Sequence, residues 1–308
     1  MSVLLYILAY VAFLAFVAII VMKIIDYKKK PVHLRWELYP VPHETGGRAD
    51  YGGSYFEKTG WWKQKQEHSM WGAIKYFLIE ALTMKLSFEH NRQLWYRTYP
   101  FHMGLYLLFA SLVITILCSF MANWGYSGWF YTFCRIIAML CNIGGFLGVL
   151  GGSLGLLIRR LTTPDLKKFS MYEHYFNLCL FILFSGLGFI QCGMSPLGFT
   201  DKGIAFFSGM LTFSAAPTGF IYSLYMLISC LLFIWVPFSF MGHFFMKFFT
   251  WHDIRWGDTP SQDDPKIQAE MAETLKFPVD WKGSHIQGDG KKNWGEVATT
   301  LPGKQESK

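Results

Sequence analysis

PFHMGLYLLFASLVITILCSFM, residues 100 to 121, runs for twenty-two residues without an Asp, Glu, Lys or Arg. As a helix it would rise about 33 Å, enough to cross a hydrocarbon core of roughly 30 Å. Its one histidine, His102, lies just inside the run, and an ionisable residue inside a membrane segment marks a functional site by default. Four further runs of spanning length lie at 3 to 22, 129 to 158, 172 to 194 and 217 to 245. The chain is 52% hydrophobic and 16% charged, with the apolar residues gathered in blocks instead of spread at core spacing. This predicts an all-α integral membrane protein with five transmembrane helices.

The domain organisation follows. Residues 1–25 form the first span, 26–99 a long loop, 100–250 a four-helix membrane bundle and 251–308 a polar tail. No basic residue precedes the first run and Lys28, Lys29 and Lys30 follow it, so it reads as an uncleaved anchor and not a signal peptide. Basic residues also set the orientation. Segment 26–99 has twelve Lys and Arg against eight acids, and 159–171 carries Arg159, Arg160, Lys167 and Lys168, whereas 122–128 has no charge and 195–216 only Asp201 and Lys202. The N-terminus is then expected outside and the tail in the cytoplasm. The formal charge of +7 is mostly a topology signal in contact with membrane lipid, and no compact basic stripe points to nucleic acid. Six single cysteines without C-x-x-C spacing argue for packing, not iron–sulfur ligation.

The long loop should be ordered by what it touches, since it is rich in aromatic residues and glycine (Tyr51, Gly52, Gly53, Tyr55, Phe56, Trp61, Trp62). Within it Trp71, Ile74, Phe77, Leu78, Ala81 and Leu82 share one helical face, the pattern of a helix lying in the interface. The tail has eight basic and ten acidic residues and several prolines. It is not expected to build a core of its own; it reads as a disordered segment or as an arm on a cytoplasmic partner, with Trp251, Trp256, Phe277, Trp281 and Trp294 favouring the arm.

All nine histidines fall on or near the expected cytoplasmic side. His102 opens the second span and His243 closes the fifth, so antiparallel helices bring both imidazoles to similar depth, each beside a glycine, Gly104 or Gly242, that leaves room for a flat macrocycle. Axial ligation of a b-type haem is the functional reading; a backbone hydrogen bond or snorkelling to the interface is the plain one. His174, Arg97 and Lys247 are candidate contacts for haem propionates or a quinone, although lipid headgroups would explain the cations equally well. Arg135, inside the third span, either snorkels or meets a quinone carbonyl or counter-charge. Gly144, Gly148 and Gly152 form a small-residue ladder for close helix packing.

Phe101-His102-Met103-Gly104 and Pro237-Phe238-Ser239-Phe240-Met241-Gly242-His243 resemble the cytochrome b (gamma) subunit of respiratory nitrate reductase. They also resemble its relatives, the membrane subunits of heterodisulfide reductase and of the Dsr and Tmc complexes of sulfate reducers. The resemblance covers roughly 100 to 250, and Pro31 to Pro40 is similar to the Tmc branch. It implies a redox relay in a bacterial inner membrane, not catalytic alone, carrying electrons between menaquinone and a cytoplasmic iron–sulfur subunit of heterodisulfide-reductase type. A periplasmic multihaem cytochrome c would be a further partner through the complex. It also implies two stacked haems, the second pair of ligands falling ten residues deeper on the second span and eighteen residues earlier on the fifth. Here those positions hold Leu112 and Tyr225, five helical turns, about 27 Å, separating Tyr225 from His243 on one face. One haem is therefore expected, with Tyr225 a candidate quinone contact and Met194 or Met226 the ligands to consider should a second haem exist. The contrasting expectation is a haem-free membrane anchor that only docks a soluble partner.

Overall fold

The computed structural model describes residues 2–29, 59–60, 69–216, 219–247, 265–283 and 286–300. The loop aromatics Tyr51 to Trp62, the Pro31–Pro40 motif, Trp251 and Trp256 lie outside the described residues. Two compact units are formed, Met1–Ile19 with Phe77–Gly242, and Ile20–Tyr76 with His243–Lys308.

In chain order the helices are α1 (Ser2–Lys29), α2 (Met70–Thr83), α3 (Lys85–His90), α4 (Arg92–Asn123), α5 (Trp129–Thr162), α6 (Pro164–Phe169), α7 (Tyr172–Met194), α8 (Pro196–Thr212) and α9 (Phe220–Phe238). A 3-10 turn (Phe240–Gly242) and α10 (His243–Lys247) follow, then α11 (Pro265–Leu275), the strands β1 (Lys282–Gly283) and β2 (Ile286–Gln287), and α12 (Trp294–Thr299). Among the described residues five helices, α1, α4, α5, α7 and α9, are long and apolar enough to cross a bilayer. Their outward faces expose Leu14, Phe109, Ile158 and Phe220, among others, as lipid-facing surfaces do.

The spans keep their predicted places but not all their ends. α4 starts eight residues before Pro100 because the Asn91 side chain accepts the Leu94 N–H at 3.0 Å, satisfying a donor of the first turn. The fifth span, expected to be continuous from 217 to 245, stops earlier. Pro237 lies in its last turn and Ser239 is extended (φ −80°, ψ 170°), so the helix ends at Phe238 and His243 begins a separate short helix. A proline has no backbone donor to bond the carbonyl four residues back, which weakens the last turn, and Ser239 Oγ receives the Met241 N–H at 3.1 Å to hold the turn that follows. The five-turn relation between Tyr225 and His243 therefore does not apply. α8 is a larger departure, a seventeen-residue helix in a segment expected to be a loop.

In the first unit, three apolar clusters organise the bundle, the smallest formed by Cys118 and Met121 of α4, Cys134 of α5 and Ile204 of α8. At the end away from the basic loops, Leu5 and Tyr6 of α1, Phe146 of α5, Cys192 of α7, Phe199 and Phe206 of α8, and Tyr222 and Met226 of α9 pack together. In the half nearer the basic loops, Phe101 of α4, Val149 of α5, Leu180 and Phe181 of α7 and Leu232 of α9 form the second. α4 and α5 approach most closely. A Cβ on Gly104 would lie 2.6 Å from the Val149 nitrogen, one on Gly148 2.6 Å from the Pro100 oxygen, and one on Gly152 2.6 Å from the Phe101 Cβ. The small-residue contact thus runs through Gly148 and Gly152 as expected, but through Gly145 instead of Gly144, whose added Cβ would meet only a Leu107 methyl.

α2 and α3 fold back on the start of α4 through Met84, which adopts φ 51°. Trp95 Nε1 donates to the Thr83 carbonyl at 2.9 Å and Tyr106 Oη to the Ala81 carbonyl at 3.3 Å. Trp71, Ile74, Leu78 and Leu82 remain exposed on α2, in keeping with the interfacial pattern.

In the second unit the tail builds more than the sequence suggests. Lys282 pairs with Gln287 and Gly283 with Ile286 in a short antiparallel ladder, Val279 and Val297 are buried, and the Trp281 and Trp294 rings meet edge to face at 6.3 Å. α12 opens with a reciprocal cap in which Asn293 and Glu296 satisfy each other's backbone N–H groups. Gly288 is required there, since a Cβ would lie 2.3 Å from the Trp281 carbonyl oxygen. The small core expected to be missing is supplied by two valines and backbone pairing.

Candidate functional site

His102 lies on α4, partly buried, one turn after Thr98. Its Nδ1 is 2.8 Å from the Thr98 carbonyl oxygen and 3.3 Å from Thr98 Oγ1. A carbonyl only accepts, so Nδ1 carries the proton and the lone pair of a neutral ring resides on Nε2. Metal-binding imidazoles are oriented in this way, one nitrogen donating to a backbone carbonyl or carboxylate. The Phe101 ring stands edge-on to the imidazole at 5.3 Å and to Phe181 of α7 at 5.1 Å, which seats the base of the histidine against the second cluster. Gly104 has a simpler role than clearance for a macrocycle: α5 backbone occupies the place of its missing side chain.

His243, exposed, is the first residue of α10 and opens the second unit, so His102 and His243 are described each in its own unit. The turn leading to His243 is held from α7. Phe240 N–H donates to Glu173 Oε1 at 3.3 Å and the His174 ring lies 4.7 Å from the Phe240 ring. His174 Nδ1 also accepts the Met171 N–H at 3.1 Å, which makes it a cap for the start of α7. The sequence marked His174 for a propionate or quinone; in the structure its Nδ1 is committed to the helix end.

The other candidates are placed as follows. Arg97 donates to the Gln93 carbonyl on its own helix and lays its stem along Gly155 of α5. Lys247 ends α10, and its side chain lies outside the described residues. Of the readings offered for Arg135, the structure brings it a counter-charge. Its Nε and Nη2 reach the two oxygens of Asp201 on α8, both at 2.5 Å, a bidentate pair of the kind guanidinium geometry favours. Tyr225 is part of the aromatic packing, stacked on Phe184 at 5.4 Å and edge-on to Phe146 at 5.9 Å. Leu112 is half-buried on α4. All six cysteines are free.

Several polar residues inside the spans went unmarked at the sequence level. Ser111 Oγ donates to Asn142 Oδ1 at 2.7 Å, and Asn142 Nδ2 reaches Thr200 Oγ1 at 3.3 Å, a buried chain that ties α8 to α4 and α5. Asn177 Oδ1 accepts the Trp235 indole N–H at 2.5 Å, joining α7 to α9. An asparagine within an apolar span was the available signal, since an amide is expensive to leave unmade in hydrocarbon.

Fold and site together define an all-α, multi-pass membrane protein with a tautomer-fixed histidine near the start of one span. Compared with known proteins, the chain matches no family model, no curated protein and no solved structure.

Proposed function

We propose that the chain is the membrane cytochrome b subunit of a respiratory complex in a bacterial inner membrane. It would relay electrons between menaquinone and a cytoplasmic iron–sulfur subunit. The observation that carries this reading is the His102 imidazole, whose Nδ1 donates to the Thr98 carbonyl, the orientation that metal-binding imidazoles adopt. His102 and His243 would hold one haem b, which when bound supplies reversible one-electron chemistry.

The remaining roles belong to the chain's own residues. Thr98 sets the His102 tautomer, and Phe101 and Phe181 keep water from the base of the ring. Glu173 and His174 hold the turn from which His243 departs. Arg159 and Arg160, in the last turn of α5, and the basic loops would favour propionates and acidic lipid at that end. The folded tail, with Trp281 and Phe277 half-exposed, is the segment suited to a cytoplasmic partner, and the asymmetry of basic residues would favour its lying inside.

Haem counting by pyridine haemochrome on the purified full-length chain tests the proposal. One haem per chain is expected. Two would show that ligands such as Met194 or Met226 act, and none, from cells with ample haem, would favour a haem-free anchor.

A further inference from the structure

α2 takes no part in the proposed function, yet its surface is unusual. In its second half Phe77, Leu78, Ile79 and Leu82 are all exposed, and α3 adds exposed Leu86 and Phe88. At about 100° per residue the four α2 positions spread over roughly 200° of the helix surface. A helix that docks in a protein groove presents a narrower stripe, with anchors three and four residues apart. A wide apolar face suits a fluid apolar phase instead.

The tether to α4 fixes the level at which α2 meets that phase. The last carbonyls of a helix have no partner within it, and two of them in α2 are taken by side chains of α4. Thr83 accepts the Trp95 indole N–H at 2.9 Å, and Ala81 accepts the Tyr106 hydroxyl at 3.3 Å. Tyr106 lies inside the uncharged run from 100 to 121, and its neighbours Leu107 and Phe109 are exposed on the outward face of that span. The end of α2 is therefore held beside a stretch of α4 that faces acyl chains, by tryptophan and tyrosine, the side chains that settle where hydrocarbon meets water. Trp95 is itself stacked on Tyr99 at 4.5 Å, and His102 lies between the two donors along α4.

We infer that the exposed face of α2 is a phospholipid-binding surface, seated between headgroups and acyl chains, and that it braces the entry of α4 through Trp95 and Tyr106. The occupant is the bilayer that already covers the adjoining face of α4, not a soluble subunit. Nothing in this brace depends on what His102 binds.

The test places the photoreactive residue p-benzoylphenylalanine at position 78, 82 or 109 of the full-length chain in phosphatidylcholine nanodiscs and weighs the intact products after irradiation. Position 109, on the outward face of α4, reports lipid contact. Adducts heavier by one phospholipid should form at 78 and 82 at yields comparable to that at 109. Adducts at 109 alone would place α2 in water, open to a soluble partner, and overturn the lipid surface. Hydrogen exchange reads the brace. Leu78→Lys combined with Leu82→Lys, which draws α2 toward water, should speed exchange of the amides of residues 96 to 99 severalfold. Trp95→Phe combined with Tyr106→Phe, which removes both donors, should do the same while the lipid adducts persist. Unchanged exchange in both double variants overturns the brace.

Discussion

The Arg135–Asp201 pair shows what one residue can hide in a sequence. A lone arginine in an apolar span invites a cofactor, and the carboxylate that answers it is sixty-six positions away on a helix that was not anticipated. The pair is part-exposed, with side-chain exposures of 27% and 42%, and where water reaches such a pair its coupling is about 1 kcal/mol or less. Thermal unfolding of Arg135→Met, Asp201→Leu and the double variant checks this. Each single change should destabilise more than half of what the double change does, because each leaves a charge without its partner, and strict additivity would contradict the pair. His102 was legible because a histidine in hydrocarbon is conspicuous. Its carbonyl partner was not, because Thr98 carries no mark of that role in the sequence. Asn177 went unremarked because its partner, the Trp235 indole, lies fifty-eight positions away.

At the scale of elements, apolar length was readable and helix ends were not. Each of the five spans follows from an uncharged run too long for a soluble helix, whereas the end of α9 depends on Pro237 and on the turn that Ser239 closes. α8 was missed because Asp201, Lys202 and its glycines resemble a loop, yet Phe199, Ile204 and Phe206 are buried and Asp201, Lys202 and Thr200 all bond other helices. The α4–α5 contact gives a sharp expectation. Gly148→Ala places a methyl against the Pro100 carbonyl and should destabilise the bundle by about 1–3 kcal/mol. Gly151→Ala, with nothing within 4 Å of the new Cβ, should be neutral or slightly stabilising in the same denaturation assay. The tail has a pH signature as well. Asp289 Oδ1 accepts the backbone N–H groups of Lys292 and Lys291 at 2.7 and 2.9 Å, which holds its carboxyl below the usual range. A depressed acid stabilises the turn above its unfolded pKa and loses that support as pH falls through the folded value. The Lys291 and Lys292 amide resonances should therefore shift together on acidification, and Asp289→Asn should abolish that titration.

For the whole molecule, five spans, a glycine-mediated helix pair and two aromatic-rich clusters make a membrane bundle whose half near the basic loops differs in character from the other. Tyr225 and its neighbours fill the far half with rings beside the buried Ser111–Asn142–Thr200 chain, while the near half holds the oriented His102 and, among the described residues, two buried donors without a hydrogen bond. The most direct test is the reduced-minus-oxidised absorption spectrum of the full-length chain purified from cells well supplied with haem. A b-type band is expected, abolished in His102→Ala and in His243→Ala while both variants still insert in the membrane. A colourless chain, or a band indifferent to both substitutions, would contradict the proposed haem site.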